Sequence, residues 1–252
     1  MSPFPPRPAY GALRLARPSD ILRLGIVAVA SLYYTPQFRW ERPRHNNKLL
    51  SRDTLLAYRH QFKDAMMRDD AIVLVAEDAF DPKENEHTDA VTPPSDNWIP
   101  PNEGERVIVG VVSIKLERGS MRRGQFTYDG DFPQLTQDLG RDVNKTHRNA
   151  WGKHVDTLKQ KHCRGYSFME LLAVHPAYWR RGHGIRLVTW SANLSQLDVV
   201  NQGVIATPMA EKLFKGLEYI LIDRRKVPGD QDDPEGAFVD LLALLPPRAI
   251  EG

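Results

Sequence analysis

The stretch Leu171-Leu-Ala-Val-His-Pro-Ala-Tyr-Trp-Arg-Arg-Gly-His-Gly-Ile-Arg-Leu187 decides how this chain is read. Residues Tyr166 to Val174 read as a strand that ends at His175-Pro176. A short loop then leads to Arg181-Gly-His-Gly184, and Gly184 to Gln196 read as a helix. The glycines let the backbone turn and come close to a ligand, while the first N–H groups of the helix have no partner within it. Those amides and the positive end of the helix dipole favour an anion such as a pyrophosphate. Arg180, Arg181 and Arg186 add cationic side chains in the same neighbourhood. A glycine turn flanked by solvated arginines has the same composition, so loop chemistry alone leaves both readings open.

The segments on either side are regular. Downstream, Val199 to Ala206 reads as a strand, Pro208 to Leu217 as a helix, and Tyr219 to Ile222 as a strand. After a loop with Pro228 and Pro234, Ala237 to Leu244 forms a last strand. Upstream, Ala12 to Ala16 alternates as a short strand, and Ser19 and Asp20 offer capping oxygens to a helix over Ile21 to Ser31. Tyr33 to Leu50 is aromatic, basic and broken by proline, so it is expected to be loop. Ser51 and Asp53 begin a second helix over Thr54 to Met67, with Leu55, Tyr58, Phe62 and Met66 on one stripe. The run Ala71 to Ala76 and the run Arg106 to Leu116 read as buried strands.

Two stretches do not fit a compact core. Residues 78–104 are polar and proline-rich, and 118–165 carry polar helical patterns around Gln134–Leu139 and Asn149–Lys161. Both are expected to be insertions in a single domain over 11–246, preceded by a disordered lead-in at 1–10. The order β-α-α-β-β-(insert)-β-α-β-α-β-β implies an α/β (α+β mixed sheet) protein.

Lys+Arg 34 against Asp+Glu 32 gives a net charge of +2, which calls for neither a nucleic-acid nor a membrane partner. The basic stretches Arg118–Arg123 and Arg141–Lys161 are expected to be solvated parts of the insertion. One cysteine, Cys163, excludes an internal disulfide and a multi-thiolate zinc site. The histidines lack the spacing of a helical metal motif, so no metal is expected. The longest early apolar run, Leu24 to Tyr34, is too short to span a bilayer. These features are those expected of a soluble, cytoplasmic protein, and they do not exclude a nuclear one.

The segment 171–187 resembles motif A of the GNAT (GCN5-related N-acetyltransferase) family, Gln/Arg-x-x-Gly-x-Gly/Ala after a strand ending Val-x-Pro. Arg181 takes the first position and Gly184 the central glycine; Arg186 stands where the last small residue belongs. Gly203 to Tyr219 resembles motif B, with Leu213-Phe214 and Glu218-Tyr219 in place of the usual Leu-Tyr and Gly-Phe. The chain is similar in this half to GNAT proteins of fungi. The resemblance implies the GNAT acyl-CoA N-acyltransferase fold and acetyl-CoA as co-substrate. It implies that Leu172, Ala173 and Val174 lie along the pantetheine arm. Arg180, Arg181, Gly182, His183, Gly184, Ile185 and Arg186 would form the pyrophosphate cradle, with the His183 side chain read as solvent-exposed.

The implied reaction is direct attack of a primary amine on the thioester in a ternary complex. Glu170, on the strand, is the candidate general base. Phe214 has no proton to give where the family has its tyrosine acid, so Tyr219 or Tyr166 is the candidate replacement, or water. An inactive acyl-CoA-binding sensor or scaffold is the alternative. The acceptor would be a small-molecule or protein amine. Aromatics at Tyr33, Tyr34, Phe38 and Trp40 and the loop 223–236 are expected to flank it. GNAT proteins often dimerise, and a homodimer is compatible with the sequence without being required by it.

Overall fold

The computed structural model describes residues 4–90, 92–93 and 97–246. Seven strands form one mixed sheet: β1 (Leu13–Leu15), β2 (Ala71–Ala79), β3 (Arg106–Lys115), β4 (Ser167–Val174), β5 (Gln202–Ala206), β6 (Ile220–Val227) and β7 (Ala237–Leu244). They lie in the order β1-β2-β3-β4-β5-β7-β6, and only the β4–β5 pair is parallel. The helices are α1 (Ile21–Leu32), α2 (Pro36–Glu41), α3 (Ser51–Met66), α4 (Lys145–His162), α5 (His183–Asp198) and α6 (Pro208–Lys215). The expected succession of elements is present, in the α/β mixed-sheet class.

The strand periodicity divides the core. Leu171 and Ala173 point to the side packed by α1 and α3, while Leu172 and Val174 point to the side packed by α5. Helix α1 is apolar around nearly its whole circumference because it lies between the sheet and α3, with Ile21, Leu24, Val27 and Ala28 fully enclosed. Trp40, Trp151, Leu158, Phe168 and Leu241 make a further cluster where α2 and α4 cover the C-terminal part of the sheet.

Several expectations are corrected by tertiary contacts. The stretch Tyr33–Leu50 contains α2, whose N-terminus has the Thr35 hydroxyl accepting from Phe38 N and proline at its first position. Residues Gln134–Leu139 are not helical. They run along α3 instead, with Leu135 against the core and the Thr136 carbonyl bonded to His60 Nε2 at 2.9 Å. The helix expected at Asn149–Lys161 begins earlier, at Lys145, because the Asn144 side chain accepts from the Thr146 and His147 amides. Strand β6 runs on to Val227, extended by antiparallel pairing with β7.

Of the lead-in 1–10, residues 1–3 lie outside the described residues. Arg122 donates to the carbonyls of Pro5 and Pro6, and Tyr10 stacks on Trp190. The excursion 78–104 is held at Glu84, which forms a buried pair with Arg23 of α1 (2.7 Å) and accepts from the Tyr178 hydroxyl (3.0 Å).

Candidate functional site

Two breaks in sheet regularity open the site. In the β3–β4 ladder, Ser113 faces Leu171 and Ile114 faces Met169, so Glu170 is an extra, bulged residue. Parallel pairing of β4 with β5 covers only Ser167–Met169 and Gln202–Val204. Beyond Met169 the two strands part, and β5 continues along β7 to Ala206. His175 N donates to Val109 O, so alternation turns the Leu172 and Val174 amides to the opposite edge, toward the gap. Val174 N is met there by Ser31 Oγ at 3.3 Å.

A cavity of about 1460 Å³ occupies this gap and extends between α1, α3, α4, α5 and α6. At one end stands the N-terminus of α5. Gly182 sits in the left-handed region (φ 83°) and no side chain caps the helix, so its first amides remain free for a ligand. Arg180, also left-handed (φ 62°), lines the same end with Gly182, His183, Gly184 and Ile185. A Cβ at Gly184 would meet only Leu213 and Val174 atoms at 3.6 and 3.8 Å. The protein's own packing thus tolerates alanine there, and the missing side chain leaves space on the cavity side. These features fit the diphosphate and pantetheine parts of an acyl-CoA.

Not every residue expected to bind the cofactor reaches the cavity. Ala173 packs its side chain under α1 and pairs with Val111 of β3, so neither its methyl nor its amide faces the gap. Arg181 turns outward, to Asp78 Oδ2 (3.2 Å) and the Ala177 carbonyl. Arg186 folds back onto the Arg181 carbonyl and His183 Nδ1. His183 is 4% exposed, not solvated as expected, and its Nε2 meets Asp78 Oδ2 at 2.9 Å. Burial would raise the Asp78 pKa, but the Ala79 amide, His183 and Arg181 outweigh it and hold the carboxylate below its usual range. This β2 carboxylate holds the loop in place and carries no motif that marks it in the sequence. His175 at the strand end is fully buried, and burial pushes its pKa down to about 4, so it is neutral.

The two catalytic candidates separate. Glu170 lines the cavity, and its Oε2 accepts from Arg68 Nη2 at 2.7 Å. Tyr219 does not line it; its ring is 1% exposed and its hydroxyl donates to Gln202 Oε1 at 2.5 Å. Burial holds that phenol well above its ordinary pKa. Tyr219 therefore belongs to a buried network with Ser191, Ser167 and Gln202 and is too deep to protonate a thiolate. Phe214 lines the cavity as a plain hydrocarbon surface.

Of the expected acceptor-side aromatics, Phe38 lines the cavity. Trp40 instead stacks on His147 at 3.9 Å, and loop residue Asp230 binds His147 Nε2 at 2.7 Å. Sequence reading missed Arg42, Asp64, Asp138, Arg148 and Trp151, which line the far end. Two groups among the described residues bring metal-ligating atoms together, His147 with Asp230 and Asp232, and Asp53 with Asp138 and Asp142. In the first, both His147 nitrogens are already engaged, by Trp40 O and Asp230. No helix among the described residues is long and apolar enough to cross a membrane.

No family model matches the chain. A protein of the fungus Stachybotrys chartarum named as an acetyltransferase is 29% identical over 247 residues, covering 97% of this chain and 95% of that protein. Among solved structures, a histone acetyltransferase and related acetyltransferase from Corynebacterium glutamicum aligns with a TM-score of 0.54 at 14% identity, over 96% of this chain and 98% of that one. An arylalkylamine N-acetyltransferase of the yellow fever mosquito aligns at 0.50 and 12% identity, over 92% and 86%. Fold and full-length similarity agree with the motifs on β4–α5 and β5–α6: the chain has the GNAT acetyltransferase fold.

Proposed function

We propose that this protein transfers the acetyl group of acetyl-CoA to a primary amine in a ternary complex. The observation that carries the reading is one continuous cavity, from the uncapped α5 N-terminus through the β4–β5 gap to a carboxylate-lined end at α3. Acetyl-CoA supplies an activated thioester whose carbonyl carbon accepts the amine and whose sulfur leaves.

The chain's own groups supply the rest. Amides of Gly184 and Ile185, with Arg180, bind the anionic end. The Leu172 amide faces the gap and polarises a carbonyl placed there. Glu170, brought to the cavity by its bulge, takes the proton of the attacking ammonium, directly or through water. Arg68 orients that carboxylate through its 2.7 Å hydrogen bond. Neither Tyr219 nor Tyr166 lines the cavity, so the thiolate is protonated from water. A lone cysteine and the composition suit a cytoplasmic setting for this reaction.

Calorimetric titration with acetyl-CoA and CoA, for wild type and Gly184→Glu, tests the reading. Micromolar binding lost in the folded variant is expected, since a carboxylate would enter the amide cradle. Absence of binding to wild type would discard the proposal. Binding without CoA release for any amine would favour the sensor alternative.

A further inference from the structure

The cavity end remote from α5 has an uneven charge. Three arginines line it, and each already faces a carboxylate: Arg68 meets Glu170 at 2.7 Å, Arg42 meets Asp142 at 2.8 Å, and Arg148 meets Glu41 at 3.6 Å. Carboxylates remain in excess. Asp64 lines the cavity with no hydrogen-bond or ion-pair partner among the described residues. Among the described residues, Asp138 accepts only the Gly140 amide, at 2.8 Å. Beside it Asp142 is 2% exposed, and its Oδ1 is buried without a partner. An unpaired buried carboxylate oxygen is costly unless something cationic completes it.

Charge also chooses the kind of cation. Asp53, Asp138 and Asp142 bring oxygens within 4.8 Å of one another. Arg141 already takes both Asp53 oxygens, and Arg42 takes Asp142 Oδ2. Three carboxylates against two guanidinium groups leave one negative charge, which a single ammonium balances and a divalent ion exceeds. Along α3, Asp64 lies between His60 on the Asp138 side and Arg68 on the Glu170 side. Arg68, which holds Glu170, follows Asp64 by four residues. Asp64 is in turn about one helical turn (roughly 5.4 Å) from His60, which contacts Thr136 beside Asp138.

We propose that the acceptor is a linear amine carrying at least one further ammonium. Its reacting nitrogen lies at Glu170, and the others are held by Asp64 and Asp138. This rests on the acetyl-transfer reading above. The test compares CoA release with n-alkylamines and α,ω-diaminoalkanes of equal chain length, for wild type, Asp64→Asn and Asp138→Asn. Wild type is expected to favour the diamines in kcat/KM by about tenfold. That preference should fall about tenfold in Asp138→Asn and about threefold in the more exposed Asp64→Asn.

Equal use of both series, or a preference unchanged in both variants, overturns the inference while leaving acetyl transfer standing. If no amine is turned over, diaminoalkanes are titrated calorimetrically into the protein with and without CoA. Heat for diamines but not monoamines, weakened in the variants, upholds the cation site independently of catalysis; no heat overturns it.

Discussion

At the scale of single residues, Glu170 and Tyr219 face opposite fates despite similar prominence in the sequence. The bulge in β4 aims Glu170 into the cavity, whereas the turn after α6 drives Tyr219 into the core beside Phe214. Glu170→Gln is therefore expected to lower kcat by a factor on the order of 10² or more, measured by CoA release at saturating amine. Tyr219→Phe should leave kcat near wild type while costing roughly 1 kcal/mol of stability in urea unfolding, since it removes one buried hydrogen bond. A kcat loss in Tyr219→Phe as large as that in Glu170→Gln would restore the phenol as the acid.

Elements are held in register by polar pairs that the periodic patterns do not reveal. Arg23 is on the apolar helix α1, 3% exposed, yet its guanidinium is satisfied by Glu84 and the Ile108 carbonyl. Glu84 in turn receives the Tyr178 hydroxyl, next to the α5 loop. Removing one partner of a buried pair leaves the other charge stranded. Glu84→Ala is accordingly expected to destabilise the protein by about 3 kcal/mol, read as a lowered urea midpoint. A shift within the scatter of surface substitutions would mean that solvent already reaches Arg23.

For the molecule as a whole, the C-terminal sheet is joined to α2 and α4 through His147. Both partners of its ring, the Trp40 carbonyl and the Asp230 carboxylate, are acceptors, so the paired imidazole carries both protons. Burial pulls its pKa down, but those two bonds and the nearby Asp232 outweigh it and hold the pKa above the ordinary value. Asp230 is held below its ordinary value, first by His147. A raised folded pKa contributes fully below the unfolded value and is lost as pH rises through the folded one. A depressed carboxylate contributes above its unfolded value and is lost on acidification. The stability difference between wild type and Asp230→Asn should thus be widest between about pH 4 and 6.5 and should close at higher pH. Thermal melts across that range check it; a gap that widens with pH would contradict the doubly protonated imidazole.

Much of this architecture is written in local pattern. Strand and helix periods, the glycines at 182 and 184, and the order of elements follow from side-chain spacing and backbone freedom, which act over a few residues. They were enough to read the α/β class and the glycine loop that opens α5. What they do not contain is direction across distance. Arg181, Arg186 and Ala173 sit in the motif but turn away from the cavity, because Asp78, a backbone carbonyl and the α1 face lie where only the folded sheet puts them. The insertion 118–165 shows no amphipathic signal for its stretch along α3, since its order comes from contacts with residues far away in sequence such as His60 and Asp53. Sequence alone thus determined the scaffold and the glycine loop before α5. The charged end of the cavity was decided by tertiary structure, because a charged pocket is a balance of partners, and partners are chosen only when the chain closes.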